Sequence, residues 1–290
     1  MRKLAAMMAI AWVASVSVGA AQEPAMPGWT PGPTVGKLGH RATIDVPEGY
    51  FFLDQAATRR FLEANQNIPD GDELGTLVRM RPGTEDSWFA VFSYSDIGHV
   101  KDDEKDSIDA AALMKTMQEG SRAANAERQK RGWTPLNLEG WHQPPFYDAA
   151  THNLTWATRV HSDGETAINH SIRLLGRTGL MSAQLVADSA NVDASIAEFD
   201  QVLTSYAFTE GFRYAEFRAG DKLATYGLTA LIAGGAGATA VKTGLFKKIW
   251  KLLVFAVVAV AGAIKKFFSG LGTPERTERP IPVVPSGPRA

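Results

Sequence analysis

Residues 154–175 read LTWATRVHSDGETAINHSIRLL, two β-rich runs on either side of Asp163-Gly164. Leu154–His161 and Glu165–Leu175 are dense in β-branched residues, and Asp-Gly supplies the two positive-φ positions of a two-residue hairpin turn. The pair predicts antiparallel strands in which His161 faces Thr166 and His170 faces Ala157. Leu180–Ala187, beyond the Thr178-Gly179 turn, reads as a further strand. Upstream, Arg41–Tyr50 alternates through Ala42, Ile44 and Val46 and breaks at Pro47-Glu48-Gly49. Thr76–Met80 and Trp88–Tyr94 flank an Arg81-Pro82-Gly83 turn. Helical spacing marks three segments: Ala56–Asn65, Ile108–Arg131 with a stop at Gly132, and Asn191–Tyr206 with Ile196, Phe199, Val202 and Leu203 on one face. Local hairpins outnumber helices, so the expected class is α+β, a mainly antiparallel sheet with packed helices, over residues 40–217.

The chain has 290 residues, of which 45% are hydrophobic and 21% charged, with no cysteine. That balance excludes a wholly disordered or collagen-like chain. The missing cysteines exclude disulfides, thiolate metal sites and thiol nucleophiles. The net charge of -1 hides two opposed parts. From Gln22 to Asp221 there are 29 Asp+Glu and 18 Lys+Arg, a balance of -11. From Lys222 to Ala290 there are 10 Lys+Arg and 2 Asp+Glu, a balance of +8, and Arg2 and Lys3 close the sum: -11 + 8 + 2 = -1. An acidic domain argues against a nucleic-acid surface, because phosphates need Lys/Arg neutralisation. A basic tail beside apolar runs suits anionic lipid headgroups.

Both ends point to a membrane. Arg2 and Lys3 precede the apolar Leu4–Val18 and the small Gly19, Ala20 and Ala21, the order of a secretory signal over residues 1–21. Cleavage before Ala21 or Gln22 and retention as an uncleaved anchor both export the downstream domain. Gln22–Gly39, with Pro24, Pro27, Pro31 and Pro33, reads as a proline-rich linker. Leu223–Val241 is a chargeless run of 19 residues, about 28 Å as a helix. Ala230, Gly234 and Ala238 recur on one of its faces and would let a second helix, or a second copy, approach closely. A second run, Ile249–Phe268, lies beyond Lys242, Lys247 and Lys248. The expected arrangement is a C-terminal transmembrane helical hairpin, with spans at 223–241 and 249–268 and a cytoplasmic lysine loop between them. A single span at Ile249–Phe268, with the first run on the surface, is the alternative. Residues 269–290 read as a disordered proline-rich tail. The expected location is the bacterial inner membrane, with the main domain in the periplasm and the lipid bilayer as partner.

Motifs of known chemistry fail at these residues. Gly237–Thr243 resembles the end of a phosphate loop but carries Val241 where glycine is needed. The acidic run Asp102, Asp103, Glu104 and Asp106 lacks the glycine and glutamate of a calcium loop, and a helix N-terminus accounts for it instead. His161 and His170 would lie about 13 Å apart, too far for one zinc. No metal and no cofactor is implied. The densest group of aromatic, proline and histidine residues is Gly140–Asp148 with His152 and Trp156. Trp141, Tyr147, Asp148, His152 and Trp156 are therefore the candidate ligand-binding residues. Two readings stay open there: a binding groove, and a proline-shaped turn whose aromatics cap the core.

Several of these segments together resemble one bacterial family. They are Trp141–Ala157, Tyr94 with Gly98-His99-Val100-Lys101-Asp102-Asp103, Ile172–Arg177, and Tyr226–Gly235. The family is catalogued as domain of unknown function 2167, membrane-anchored proteins. The resemblance implies an exported domain followed by a C-terminal membrane segment and supplies no mechanism. The domain is also similar to Mog1/PsbP-like domains, an analogy of fold alone. The expected role is a non-enzymatic binding or scaffolding module of the cell envelope. The alternative is a hydrolase-like envelope enzyme with a pocket around Trp141–Trp156.

Overall fold

The computed structural model describes residues 27–65, 67, 69–80 and 87–233. The signal segment, the Arg81-Pro82-Gly83 turn, Gly234, Ala238, Ile249–Phe268 and the tail lie outside the described residues.

Among the described residues, eleven strands fall in two sheets: β1 Trp29–Pro31, β2 Thr34–Leu38, β3 Ala42–Val46, β4 Tyr50–Leu53, β5 Glu73–Arg79, β6 Trp88–Ser95, β7 Asn137–Asp148, β8 Asn153–Ser162, β9 Glu165–Leu175, β10 Leu180–Asp188 and β11 Ala207–Phe208. The large sheet runs β1-β4-β5-β6-β10-β9-β8-β7 and the small one β11-β3-β2. Every pairing between these strands is antiparallel. The Asp163-Gly164 hairpin is present as expected. Ser162 pairs Glu165, His161 pairs Thr166, Ala157 pairs His170, and Asp163 and Gly164 take φ of 52° and 85°.

Among the described residues, the α-helices that accompany the sheets are α1 Gln55–Ala64, α2 Ala110–Lys130, α3 Val192–Leu203 and α4 Leu228–Ile232. The small sheet and α3 cover one face of the large sheet. Phe199 of α3 is fully buried there, edge-on to Trp88 at 5.6 Å and tilted against Phe92 at 6.2 Å. On the other face α1 buries Ala57, Phe61 and Leu62 against Phe89 and Val91. Beside it, α2 and α4 bury Leu113, Met117, Leu228 and Leu231 against Leu154, Trp156 and Leu175. Apolar burial on both faces is what the near-continuous apolar runs of β6 and β10 require.

Three stretches differ from the sequence reading. Of the supposed linker 22–39, Trp29–Pro31 and Thr34–Leu38 are strands. Both are edge strands, the position where a sheet tolerates nearby prolines. Alternation in β2 is hidden because one inward residue is Gly36, where a Cβ would strike the Phe52 ring at 2.6 Å. Gly140–Asp148 is not a turn but part of β7, the other edge of the large sheet. Its pairing with β8 shifts register three times, twice around Gln143 and the two prolines after it. The third is Leu223–Val241, whose described part is no single helix. Leu223 forms a parallel bridge with His99, and the helix α4 occupies only Leu228–Ile232. The cause is local: the Glu104 carboxylate accepts from Thr229 N at 2.9 Å, and the apolar side of α4 enters the core rather than lipid. The folded unit therefore continues past 217 to 233. Among the described residues no helix is long and apolar enough to cross a membrane.

Candidate functional site

The acidic run and the aromatic-rich segment meet at one end of the large sheet. Asp109, not the run before it, caps α2 by accepting from Ala111 N and Ala112 N at 3.0 Å. That leaves Lys101–Ser107 as a loop whose Glu104 holds α4 and whose Asp102 faces the Tyr147 hydroxyl. Tyr147 comes from the end of β7, and His152 from the tight turn into β8, where its φ is 55°. Their side chains meet, Tyr147 Oη to His152 Nδ1, at 3.1 Å.

Four rings then stack in series. His152 lies on Tyr214 at 4.2 Å, Tyr214 on His99 at 4.4 Å, and His99 on Phe217 at 4.2 Å, with interplanar angles of 27–30°. Tyr214 opens a short 3-10 turn, Tyr214–Glu216, which the Glu216 carboxylate ties down by accepting from Gly211 N and Arg213 N. The Tyr214 hydroxyl donates to the Val100 carbonyl at 3.0 Å. Phe217 closes the stack with 39% of its surface exposed. The next segment straps the assembly down. Arg177 donates twice to Asp221, at 2.7 and 2.8 Å, and His99 N and Ala224 N bond across the bridge at 2.8 Å.

Burial lowers the His99 pKa, which the Gly176 and Arg177 backbone opposes in part. Burial, helped by Asp102, pushes Tyr147 above the ordinary tyrosine range and Tyr214 up to about 12. A stack of planar faces ending in an exposed phenyl ring, with carboxylates at its edge, suits the binding of an aromatic or sugar-like face. It also carries one side-chain hydrogen bond of the general acid/base kind, Tyr147 to His152.

The five sequence candidates divide. Tyr147 and His152 come together in the stack region. Asp148 turns away to its own loop, accepting from Ala150 N at 2.9 Å and Thr151 Oγ1 at 2.8 Å, bonds that lower its pKa. Trp141 donates to the Ala110 carbonyl at 3.0 Å, and Trp156 is 3% exposed. Both indoles belong to the apolar cluster beneath α2. Among the described residues no group of three or more His, Asp or Glu is placed to hold a metal. Sequence reading missed His99, Asp102, Tyr214 and Phe217. The first two carried a signal in the Gly98–Asp103 segment, whereas Tyr214 and Phe217 carried only a local excess of aromatics before the apolar run.

No curated protein matches the chain. Three solved structures show distant likeness. Cyanobacterial PsbP (CyanoP) from Synechocystis sp. PCC 6803 has 12% identity, covering 66% of this chain and 99% of its own, with a TM-score of 0.36. LpqN of Mycobacterium tuberculosis, described as involved in cell envelope biogenesis, has 14% identity over 62% and 90%, with a TM-score of 0.32. The Saccharomyces cerevisiae Ran-binding protein Mog1p has 11% identity over 61% and 93%, with a TM-score of 0.29. Likenesses this distant carry no argument about activity. Residues 30–265, spanning the sheets, the ring stack and the strap, match the model described as "Protein of unknown function (DUF2167)", and the chain belongs to that family.

Proposed function

We propose that this chain is a membrane-anchored binding module of the bacterial cell envelope, with its folded domain in the periplasm and its ligand face at the Phe217–His99–Tyr214–His152 stack. The observation that carries the reading is the stack itself. Four rings from three separate segments are brought into register, and the outermost is left exposed. Phe217, with 39% of its surface exposed, leaves the outer end of the stack open to a partner.

The anchor is argued from where α4 sits. With Leu228, Leu231, Ile232 and Ala233 in the core, the first apolar run keeps only residues 234–241 for the bilayer, about 12 Å of helix and too short to cross. Ile249–Phe268, 20 residues or about 30 Å, is the span this reading assigns. Lys265, Lys266 and the three tail arginines then lie inside, as the positive-inside bias favours. The hairpin arrangement would require α4 to leave the core.

A photo-crosslinking residue in place of Phe217, in the full chain in cells, tests the binding role. The expected result is a discrete envelope adduct that Tyr214→Ala abolishes while the domain stays folded. Absence of any discrete adduct, or one indifferent to Tyr214→Ala, contradicts it. The hydrolase-like alternative rests on the Tyr147–His152 bond at 3.1 Å and requires turnover lost in Tyr147→Phe, with the fold and the adduct retained.

A further inference from the structure

A second polar site lies on the sheet face beneath the helices, two strands from Tyr147 along the same row. Arg173 of β9 is 7% exposed. Its guanidinium lies 4.8 Å from the centre of the Trp156 ring and makes one long hydrogen bond, Nη1 to its neighbour's Ile172 carbonyl at 3.5 Å. Among the described residues no carboxylate stands against it, and burial alone lowers its pKa, to about 10. It is therefore a cation at neutral pH with most of its five N–H donors unused.

The strand register supplies its surroundings. Ser182 pairs Arg173, and Ser93 pairs Ser182, so both hydroxyls share its row and face. One row along, Ser171 donates to Gln184 at 2.8 Å. Ser93, Ser182, Ser171 and Gln184 are 4%, 6%, 4% and 9% exposed. Elsewhere on this face the same strands present Phe89, Val91, Leu154 and Leu175 to the helices. The polar residues run on past Ser171 to Asn169 and its partner Thr158, with Arg173 at one end of the row. One cation–π contact and one long hydrogen bond leave most of the guanidinium's charge uncompensated. A planar guanidinium with unused N–H donors, in one row with Ser182 and Ser93, matches one ligand chemistry, a multidentate oxyanion.

We propose that Arg173, with Ser182, Ser93 and the Gln184 amide, forms a binding site for a phosphate group, either free or carried on a lipid headgroup. The Trp156 ring beneath Arg173 belongs to the same cluster as Ile232 and Ala233, where the described chain leads on toward the apolar run at Ile249. A headgroup can thus reach the patch if that run enters the bilayer. A free phosphate needs no such arrangement.

The test uses the full chain in neutral detergent, titrated with sodium phosphate against sodium chloride at matched ionic strength. Tryptophan emission and thermal midpoint are the readouts. The expected result is a saturable emission change with a raised midpoint. Trp156→Phe should remove the emission change, and Arg173→Met both responses. Arg173→Lys, which keeps the charge and loses the fork, should weaken binding about tenfold; it carries the test if Arg173→Met does not fold. If phosphate is inert, phosphatidylglycerol vesicles are compared with phosphatidylcholine vesicles on the reconstituted chain, and a response to the former alone assigns the headgroup. No response to phosphate or to phosphatidylglycerol, or an Arg173→Lys chain that responds as the parent does, overturns the proposal.

Discussion

Leu228→Ala separates a folded strap from a membrane helix. Leu228 is fully buried in the cluster that holds Trp156, Leu175 and Leu231. Truncating a buried leucine costs about 2–5 kcal/mol, depending on how far the site can collapse. Because α4 is five residues long, Leu228–Ile232, it can relax into part of the cavity. The lower half of the range applies, about 2–3 kcal/mol. In a domain of roughly 150–250 residues each kcal/mol moves Tm by about 2–4 °C, so the expected fall is about 5–10 °C. Thermal unfolding of the full chain in neutral detergent, followed by near-UV circular dichroism, reads it directly. Thr225→Ala, at an exposed position three residues earlier, serves as the control and should change little. If residues 223–241 formed one membrane helix, Leu228 would face lipid and the domain would not register its loss. A change below about 0.5 kcal/mol, equal to the control, refutes the packed α4.

Two other perturbations address the core. Phe199→Ala removes the ring that joins α3 to Trp88 and Phe92 and should cost about 3–5 kcal/mol in urea unfolding; a loss under 1 kcal/mol would contradict its anchoring role. His170, 2% exposed, has its pKa lowered to about 4 by burial, with His142 adding to the shift; Asp200, 4.0 Å away and itself pushed toward neutrality by burial, offers little relief. Above pH 6.5 His170 is neutral folded or unfolded, whereas between 6.5 and 4 only the unfolded chain takes up the proton. Stability should therefore fall by up to about 3 kcal/mol as pH drops through that window. His170→Leu should flatten this part of the stability–pH curve, and an unchanged slope would contradict the assignment.

The strands with clear alternation or a strong turn were legible in the sequence, and the reasons are specific. Asp163-Gly164 could be read because one dipeptide fixes both turn type and register. α1, α2 and α3 could be read because their apolar residues keep helical spacing over ten or more positions. β2 could not, because its inward glycine makes room for Phe52 and erases the alternation. β7 hid behind Pro144 and Pro145, which only an edge strand accommodates, and edge position is a property of the assembled sheet. Leu228–Ile232 looked like lipid-facing helix because apolar periodicity does not distinguish a core from a bilayer; Glu104, distant in sequence, decides it. Of the four stacked rings, only His152 was among the sequence candidates. Tyr147 and His152 lie five residues apart, whereas Tyr214 and Phe217 reach them only through the return of the chain after β11.

Export of the domain is the claim on which the proposed role depends, and single-site labelling tests it. The chain has no cysteine, and Val35 on the edge strand β2 is 54% exposed, so V35C gives one accessible thiol. Intact spheroplasts carrying this variant are treated with a membrane-impermeant maleimide before and after lysis. The account predicts full labelling before lysis, on a protein that stays in the membrane pellet. Labelling only after lysis would put the domain in the cytoplasm and contradict an envelope-binding role.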